Sequence, residues 1–342
     1  MDTGLIILGL TVLFALAFSL ANGWNDSANA IATVVSTRVL SPWHAVLFGA
    51  GLNFVGALFF SEVAKTVGSK VINPELALPI TFLAAVVVAP IWATLCTLWG
   101  LPISCSHSLF GGLIGAVLAS VGLDGLRGEG ITKIMIGVFV APVVGLVLGY
   151  LIMLAVAWGF RRMKAAAASW LFGKLQIVSA GAMAFAHGTG DTQNPMGIIV
   201  GALVAYQIAH GGASDLVAGG GMHIPLWVRL SCAACMAVGT AIGGWSVIRT
   251  LGTRLAHLKP YQGFCAETAA ATTIICNTLG GIPISTTHSI TGAIMGVGAA
   301  KGVRAVKWGV GSKILFAWIF TFPACIAGGW LVFKGLRLLG LG

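Results

Sequence analysis

Gly100-Leu-Pro-Ile-Ser-Cys-Ser-His107, in the first half of this chain, recurs in the second as Gly281-Ile-Pro-Ile-Ser-Thr-Thr-His288. Each copy follows an apolar run. Each opens into another that carries glycines one turn apart, Gly111-Gly-Leu-Ile-Gly115 and Gly292-Ala-Ile-Met-Gly296. Upstream of each lies a second paired element, Asn22-Gly-Trp-Asn-Asp-Ser-Ala-Asn29 and His187-Gly-Thr-Gly-Asp-Thr-Gln-Asn194. A duplication that sets hydroxyls, amides and carboxylates inside apolar sequence marks a transporter site at a repeat interface.

Only 8% of the 342 residues are charged and 58% are hydrophobic, where a soluble domain carries about 25% charge. The runs Gly4–Leu20, Ala45–Phe60, Phe82–Trp99, Ile131–Phe160 and Ile314–Phe333 approach the length that crosses a hydrocarbon core of ~30 Å. No barrel-type alternation appears. The expected fold is therefore an all-α polytopic membrane protein. About ten (10–12) transmembrane or re-entrant helical segments are expected, arranged as two inverted repeats over 1–160 and 175–342. A basic cytoplasmic linker, 161–174, joins them.

In this reading segment one, Gly4–Ala21, breaks at Asn22–Asn29, and segment two is His44–Ala64. Segments three and four flank Gly100–His107, and segment five is Ile131–Phe160. Segment six runs from Ile177 through a break at His187–Asn194 to Tyr206, ahead of a polar loop, Gln207–His223. Segment seven is Leu226–Ile248, segments eight and nine flank Gly281–His288, and segment ten is Ile314–Leu336. An odd number of segments per half inverts the second half. With the basic link inside, both termini lie outside, and twelve of the 19 Lys and Arg residues fall inside, as the positive-inside rule favours.

A Pro and a Ser just before an apolar run mark where a helix begins. The first N–H groups of a helix lack internal partners, and the macrodipole adds roughly half a positive charge there. Ser104 and Ser285 suit the N-cap position. Two such N-termini facing each other make a dry anion site, with the hydroxyls of Ser104, Ser106, Ser285, Thr286 and Thr287 as further donors. A compact oxyanion fits better than a carboxylate or a sugar. The alternative is that each copy only turns a re-entrant loop and caps a helix; recurrence at equivalent positions, with His after both, favours binding.

Of nine acidic residues, Asp26, Asp191 and Glu267 lie within apolar segments, and Glu62 lies near a segment end. A carboxylate in a bilayer is costly unless paired, protonated or ion-bound. Asp26 and Asp191 occupy matching places, among the amides of Asn22, Asn25, Asn29, Gln193 and Asn194. Oxygen-only ligands suit a hard cation such as Na⁺, with Asp26, Asn29 and Asp191 as candidate ligands. A carboxylate that holds its proton suits proton coupling instead. Glu267 is a candidate for a coupling ion or a gate. His107, His187 and His288 are candidates for a proton relay, an anion contact or helix packing. No Cys/His zinc spacing recurs, and no cofactor beyond bound Na⁺ is expected.

These residues carry a family resemblance. The chain resembles an inorganic phosphate transporter of the PiT family, of the bacterial low-affinity type. Members share duplicated Gly-x-Asn-Asp-x-x-Asn-Ala and Gly-x-Pro-[Val/Ile]-Ser-x-x-His elements. The second half is similar to the bacterial variant His-Gly-x-Asn-Asp-x-Gln-Lys-x-Met-Gly, present as His187-Gly-Thr-Gly-Asp-Thr-Gln-Asn-Pro-Met-Gly197. Ala266-Glu-Thr268 also fits. The resemblance implies phosphate held between the two Ser-x-x-His tips, through Ser104, Cys105, Ser106, Ser285, Thr286 and Thr287. It implies coupling cations near Asn25, Asp26, Asn29, Asp191, Gln193, Asn194 and Glu267, and alternating access in the plasma (bacterial inner) membrane, often as a homodimer.

Three positions depart from the pattern: Gly190 replaces Asn, Asn194 replaces Lys, and Cys105 replaces a hydroxyl residue. Gly190 removes an amide oxygen from one cation site, which keeps H⁺ open beside Na⁺. The expected function is a symporter importing inorganic phosphate with H⁺ or Na⁺. Sulfate or a metal–phosphate complex is the alternative cargo. A passive anion channel would not need paired membrane carboxylates. No enzyme is expected, because no nucleophile–base set or metal cluster is evident. The net charge of +10 sits in loops and calls for no nucleic acid; the expected partners are phosphate or a similar oxyanion, the lipid bilayer and a second copy.

Overall fold

The computed structural model describes residues 2–73, 76–212, 216–217 and 222–341. Residues 213–215 and 218–221 of the polar loop expected over Gln207–His223 lie outside the described residues. Among the described residues the chain is all helical; the one strand-like pairing is an isolated bridge between Ile72 and Leu126. The helices are α1 (Thr3–Ser36), α2 (Pro42–Gly56), α3 (Glu62–Ser69), α4 (Pro79–Trp99), α5 (Cys105–Ser120) and α6 (Gly128–Gly159). The second half holds α7 (Ala165–Asp191), α8 (Gln193–Ala209), α9 (Leu226–Ile242), α10 (Trp245–Arg249), α11 (Pro260–Leu279), α12 (Thr286–Lys301) and α13 (Trp308–Leu338).

Two of the expected breaks are differently made. α1 runs unbroken through Asn22–Asn29. Asn, Asp and Ser disfavour helix interiors when their side chains compete for local backbone. Here the element is buried apart from Trp24, and Asn25, Asp26 and Asn29 bond to other helices instead. In the second half only Thr192 parts α7 from α8, and its φ of −67° and ψ of −22° keep a right-handed helical backbone. Segment seven, expected as continuous, is the one that breaks: α9 and Trp245–Leu255 meet at 59°, where Gly243 takes φ 76°. α7 also begins inside the expected link, at Ala165.

α1, α4, α6 and α13 are long and apolar enough to cross a membrane, and the bent pair is a fifth if its two parts are counted as one span. The other helices are shorter or more polar, so length and composition alone assign them no span. α6 exposes Phe139, Val143, Val147 and Leu151, one apolar stripe at four-residue spacing, as a lipid-facing helix does.

Packing is exchanged between the halves. α6 lies along α12, and α13 along α5; α1 packs on α4 and α9, and α7 on α11 and α2. Small residues set these approaches: a Cβ at Gly115 would collide with the Ile326 carbonyl, and one at Gly296 with that of Leu146. Close backbone contact through glycine is the usual device where lipid supplies no hydrophobic drive between helices. α1 crosses two apolar cores. Its residues up to Ala21 join one with α4, α5, α8 and α9. Its residues from Ala28 join the other with α2, α7, α11 and α12. The polar stretch of α1 lies between them.

The ends of the bundle are distinct. At one end Phe172 of α7 meets Phe160, Tyr261 and Phe264, and Thr37 donates to Gln176 at 2.9 Å. At the other end the Tyr206 hydroxyl donates to Asp2 at 2.8 Å, which holds that carboxyl below its usual range. Ile7, Ile80 and Phe333 cluster there.

Candidate functional site

The duplicated loops are built alike. Gly100 (φ 69°) and Gly281 (φ 63°) turn the chain after α4 and α11 in left-handed backbone, a conformation glycine adopts without a Cβ penalty. Four residues on, Ser104 and Ser285 are N-caps as expected. Each hydroxyl accepts from the backbone N–H of the third residue ahead, His107 or His288, at 3.2 Å. α5 and α12 therefore start from matching caps, and they start beside each other: the rings of His107 and His288 stand 4.7 Å apart, edge to face. From there α5 runs toward the end marked by Ile7, Ile80 and Phe333. α12 runs toward the opposite end, where the backbone N–H of Lys307 donates to Leu255.

Between these N-termini the paired elements Asn22–Asn29 and His187–Asn194 converge. His187 Nε2 lies 3.3 Å from Asp191 and 3.7 Å from Asp26, so one ring bridges both carboxylates. Thr286 donates to Asp191 at 2.8 Å, and Ser106 donates to it at 3.4 Å. Thr287 donates to Asp26 at 3.1 Å. The Asn29 amide donates to Thr287 at 2.9 Å and to Thr286 at 3.1 Å, and the Asn194 amide donates to Ser106 at 2.9 Å. The anion candidates of one motif pair and the cation candidates of the other thus form one hydrogen-bonded network. Its members are all buried.

The donor set suits a cation. Asp26, His187 and Asp191 bring one ligand atom each within 4.8 Å of one another. The side-chain oxygens of Asn22, Asn25, Asn29 and Asn194 are buried with no hydrogen-bond partner. An unsatisfied buried acceptor costs roughly 1–3 kcal/mol. Amide oxygens left open beside two carboxylates fit a hard cation.

Other candidates lie apart. Gln193 accepts from the Ala64 backbone at 3.0 Å and donates to the Thr189 carbonyl, which ties α3 to α8. Glu267 accepts from Thr33 and Ser179, and from Gln176 at 3.2 Å. Thr33 is two turns beyond Asp26 on α1, about 10 Å along its axis. Ser104 and Ser285 each use a hydroxyl acceptor for capping; Cys105, by contrast, does not lie apart, because its thiol in the first α5 turn stands against Asp26. His107 packs on Phe322 at 5.5 Å and His288 on Trp318 at 3.7 Å. Both line a cavity of about 440 Å³ with Val138 and Phe139, so their ring contacts are aromatic.

Several partners were not anticipated. Asn53 bonds His187 Nδ1 at 2.8 Å and donates to Thr240 at 2.8 Å. Thr97 accepts from Asn25 at 2.7 Å. The available signal was a lone amide or hydroxyl in an otherwise apolar helix. Gly190, the counterpart of Asn25, leaves Thr278, the counterpart of Thr97, without an amide: an added Cβ would lie 3.6 Å from Thr278 Oγ1. Gly111, Gly115, Gly292 and Gly296 serve packing, and all seven cysteines are free thiols.

The profile of the phosphate transporter family matches residues 22–329. A Rhizobium meliloti protein named as a probable low-affinity inorganic phosphate transporter is 42% identical, over 93% of this chain and 93% of its own length. A Bacillus subtilis protein of the same name is 37% identical, over 99% of this chain and 100% of its own. A solved structure named as the sodium-dependent phosphate transporter superposes with a TM-score of 0.86 at 25% identity, covering 98% of this chain and 100% of that one.

Proposed function

This chain belongs to the phosphate transporter family, and on that premise we propose that it imports inorganic phosphate with a cation by alternating access. The observation that carries the reading is the sharing of hydroxyls. Ser106, Thr286 and Thr287 sit at two opposed helix N-termini, where an oxyanion is favoured. Their protons are given to Asp26 and Asp191. A cation at the two carboxylates neutralises their charge and frees those hydroxyls to turn toward phosphate. Without the cation, phosphate meets two carboxylates that hold the protons of these three hydroxyls. Anion and cation then bind together or not at all, which is what coupling requires.

Burial of the network supports a closed state between two accessible ones, and the exchanged packing of the halves supports inverted repeats over 1–160 and 175–342. The basic link and both termini on opposite sides of a bacterial plasma membrane, and a homodimer, belong to the same reading. The open amide oxygens favour Na⁺ as the coupling ion. The imidazole of His187 between two carboxylates supports H⁺ as a second reading.

Uptake of radiolabelled phosphate into proteoliposomes under imposed sodium or proton gradients tests this. Accumulation driven by one gradient names the coupling ion. Sulfate uptake in place of phosphate, or equilibration without accumulation, would overturn symport of phosphate.

A further inference from the structure

Away from the carboxylate network, the segment after the bent span, the start of α11, the end of α12 and the start of α13 enclose a cavity of about 290 Å³. Its walls carry His257, Lys301, Arg304 and Lys307. None of these forms an ion pair among the described residues. The chain beyond Arg249 holds one acid, Glu267, and its carboxylate is taken by Thr33, Ser179 and Gln176. The cluster is thus positive, with no acidic side chain paired to it among the described residues.

A second observation points into the same space. Gln262 also lines the cavity and is only 1% exposed. Its side-chain oxygen accepts from the Lys259 backbone at 2.9 Å, while its amide N–H₂ has no acceptor among the described residues. A buried amide donor facing cationic walls asks for an anion with acceptor oxygens. The volume equals roughly ten waters at ~30 Å³ each, room for a phosphorylated group larger than a bare ion. Depth is marked by Trp308, which is 46% exposed next to Lys307 and donates from its indole to the Val303 carbonyl at 2.8 Å. Tryptophans of this kind lie at headgroup level.

We infer that this cavity is a second anion site, distinct from the transport network, that binds a phosphoryl group presented at the membrane surface, with Lys301, Arg304 and Lys307 as charge partners and Gln262 as the buried donor. The shared chemistry is a phosphate ester or phosphate ion; the headgroup of an anionic lipid and free phosphate are its two sources. Basic pockets between membrane helices bind such headgroups.

The test uses the full-length protein in phosphatidylcholine nanodiscs, probed with dioctanoyl phosphatidylglycerol, dioctanoyl phosphatidylcholine and inorganic phosphate. Bound probe is counted by native mass spectrometry and by the shift in unfolding temperature. The variants are Lys301→Gln/Arg304→Gln/Lys307→Gln and the charge-keeping Lys301→Arg/Arg304→Lys/Lys307→Arg. Phosphatidylglycerol binding that falls about tenfold or more in the first and returns in the second establishes the lipid source. Loss of one of two phosphate-binding events in the first, with phosphatidylglycerol bound equally by all forms, establishes free phosphate as the source. Equal binding of both probes by the unaltered protein and the Gln variant overturns the proposal. The surface position of the three side chains leaves folding intact, and the charge-keeping variant reports it if not.

Discussion

Asp191 and Glu267 are both carboxylates sealed inside the bundle, and their surroundings are opposite in kind. Asp191 shares a histidine with Asp26, accepts two hydroxyls, and stands among asparagine oxygens that have no partner. Glu267 accepts two hydroxyls and one amide, and all three donors are neutral. The first arrangement holds two carboxylates against one ring and leaves acceptors open, a set that suits a cation. The second has few unmet demands. A buried carboxylate is by itself an invitation to look for function; open acceptors around it, more than burial, separate a site from a strut.

The largest expected effect comes from breaking the first arrangement. Asp191→Asn removes the charge that Thr286, Ser106 and His187 share. A hydrogen bond to a charged group contributes about 1.5–3 kcal/mol, so gradient-driven phosphate uptake should fall by about 10- to 100-fold while the inserted protein keeps its unfolding temperature. Normal accumulation would remove Asp191 from coupling. Glu267→Gln keeps the shape and most of the bonds, and should cost about 1 kcal/mol of stability, with uptake within about threefold of normal. Loss of uptake as severe as for Asp191→Asn, at unchanged stability, would erase the contrast and make Glu267 a coupling site.

The smallest effect sharpens the comparison between halves. Gly190→Asn places an amide beside Thr278 as Asn25 has one beside Thr97. The new Cβ meets Ile274 at 3.5 Å and Thr278 at 3.6 Å, ordinary contact. Sodium activation of uptake should improve by about two- to fivefold, the value of one neutral hydrogen bond or ligand. No change in sodium dependence, with uptake intact, would mean that the second half contributes no amide position to the cation.

Much of the site was legible in the sequence because duplication repeats it. One Ser-x-x-His loop is weak; two at matching positions marked both helix caps, and Ser104 and Ser285 cap as expected. The paired elements Asn22–Asn29 and His187–Asn194 marked the carboxylates that meet. The expected break in α1 was misplaced because polar residues argue against a helix only where they have no tertiary partner, and Asn25, Asp26 and Asn29 find theirs on α4 and α12. The bend at Gly243 lies in a run whose hydropathy never falters, so composition could not reveal it. Asn53 and Thr240 were single polar residues without a repeat to single them out.

The sequence by itself determined the membrane class, the duplicated motifs and the candidate groups for an anion and a cation, because hydropathy, capping and charge cost act locally. Only the tertiary structure decided that the two sets are one network, that Glu267 and Gln193 stand outside it, and that His107 and His288 face aromatic rings. Those outcomes depend on which helix faces meet at mid-depth. Packing between residues as distant as Asn29 and Thr287 sets that, and no local preference encodes it.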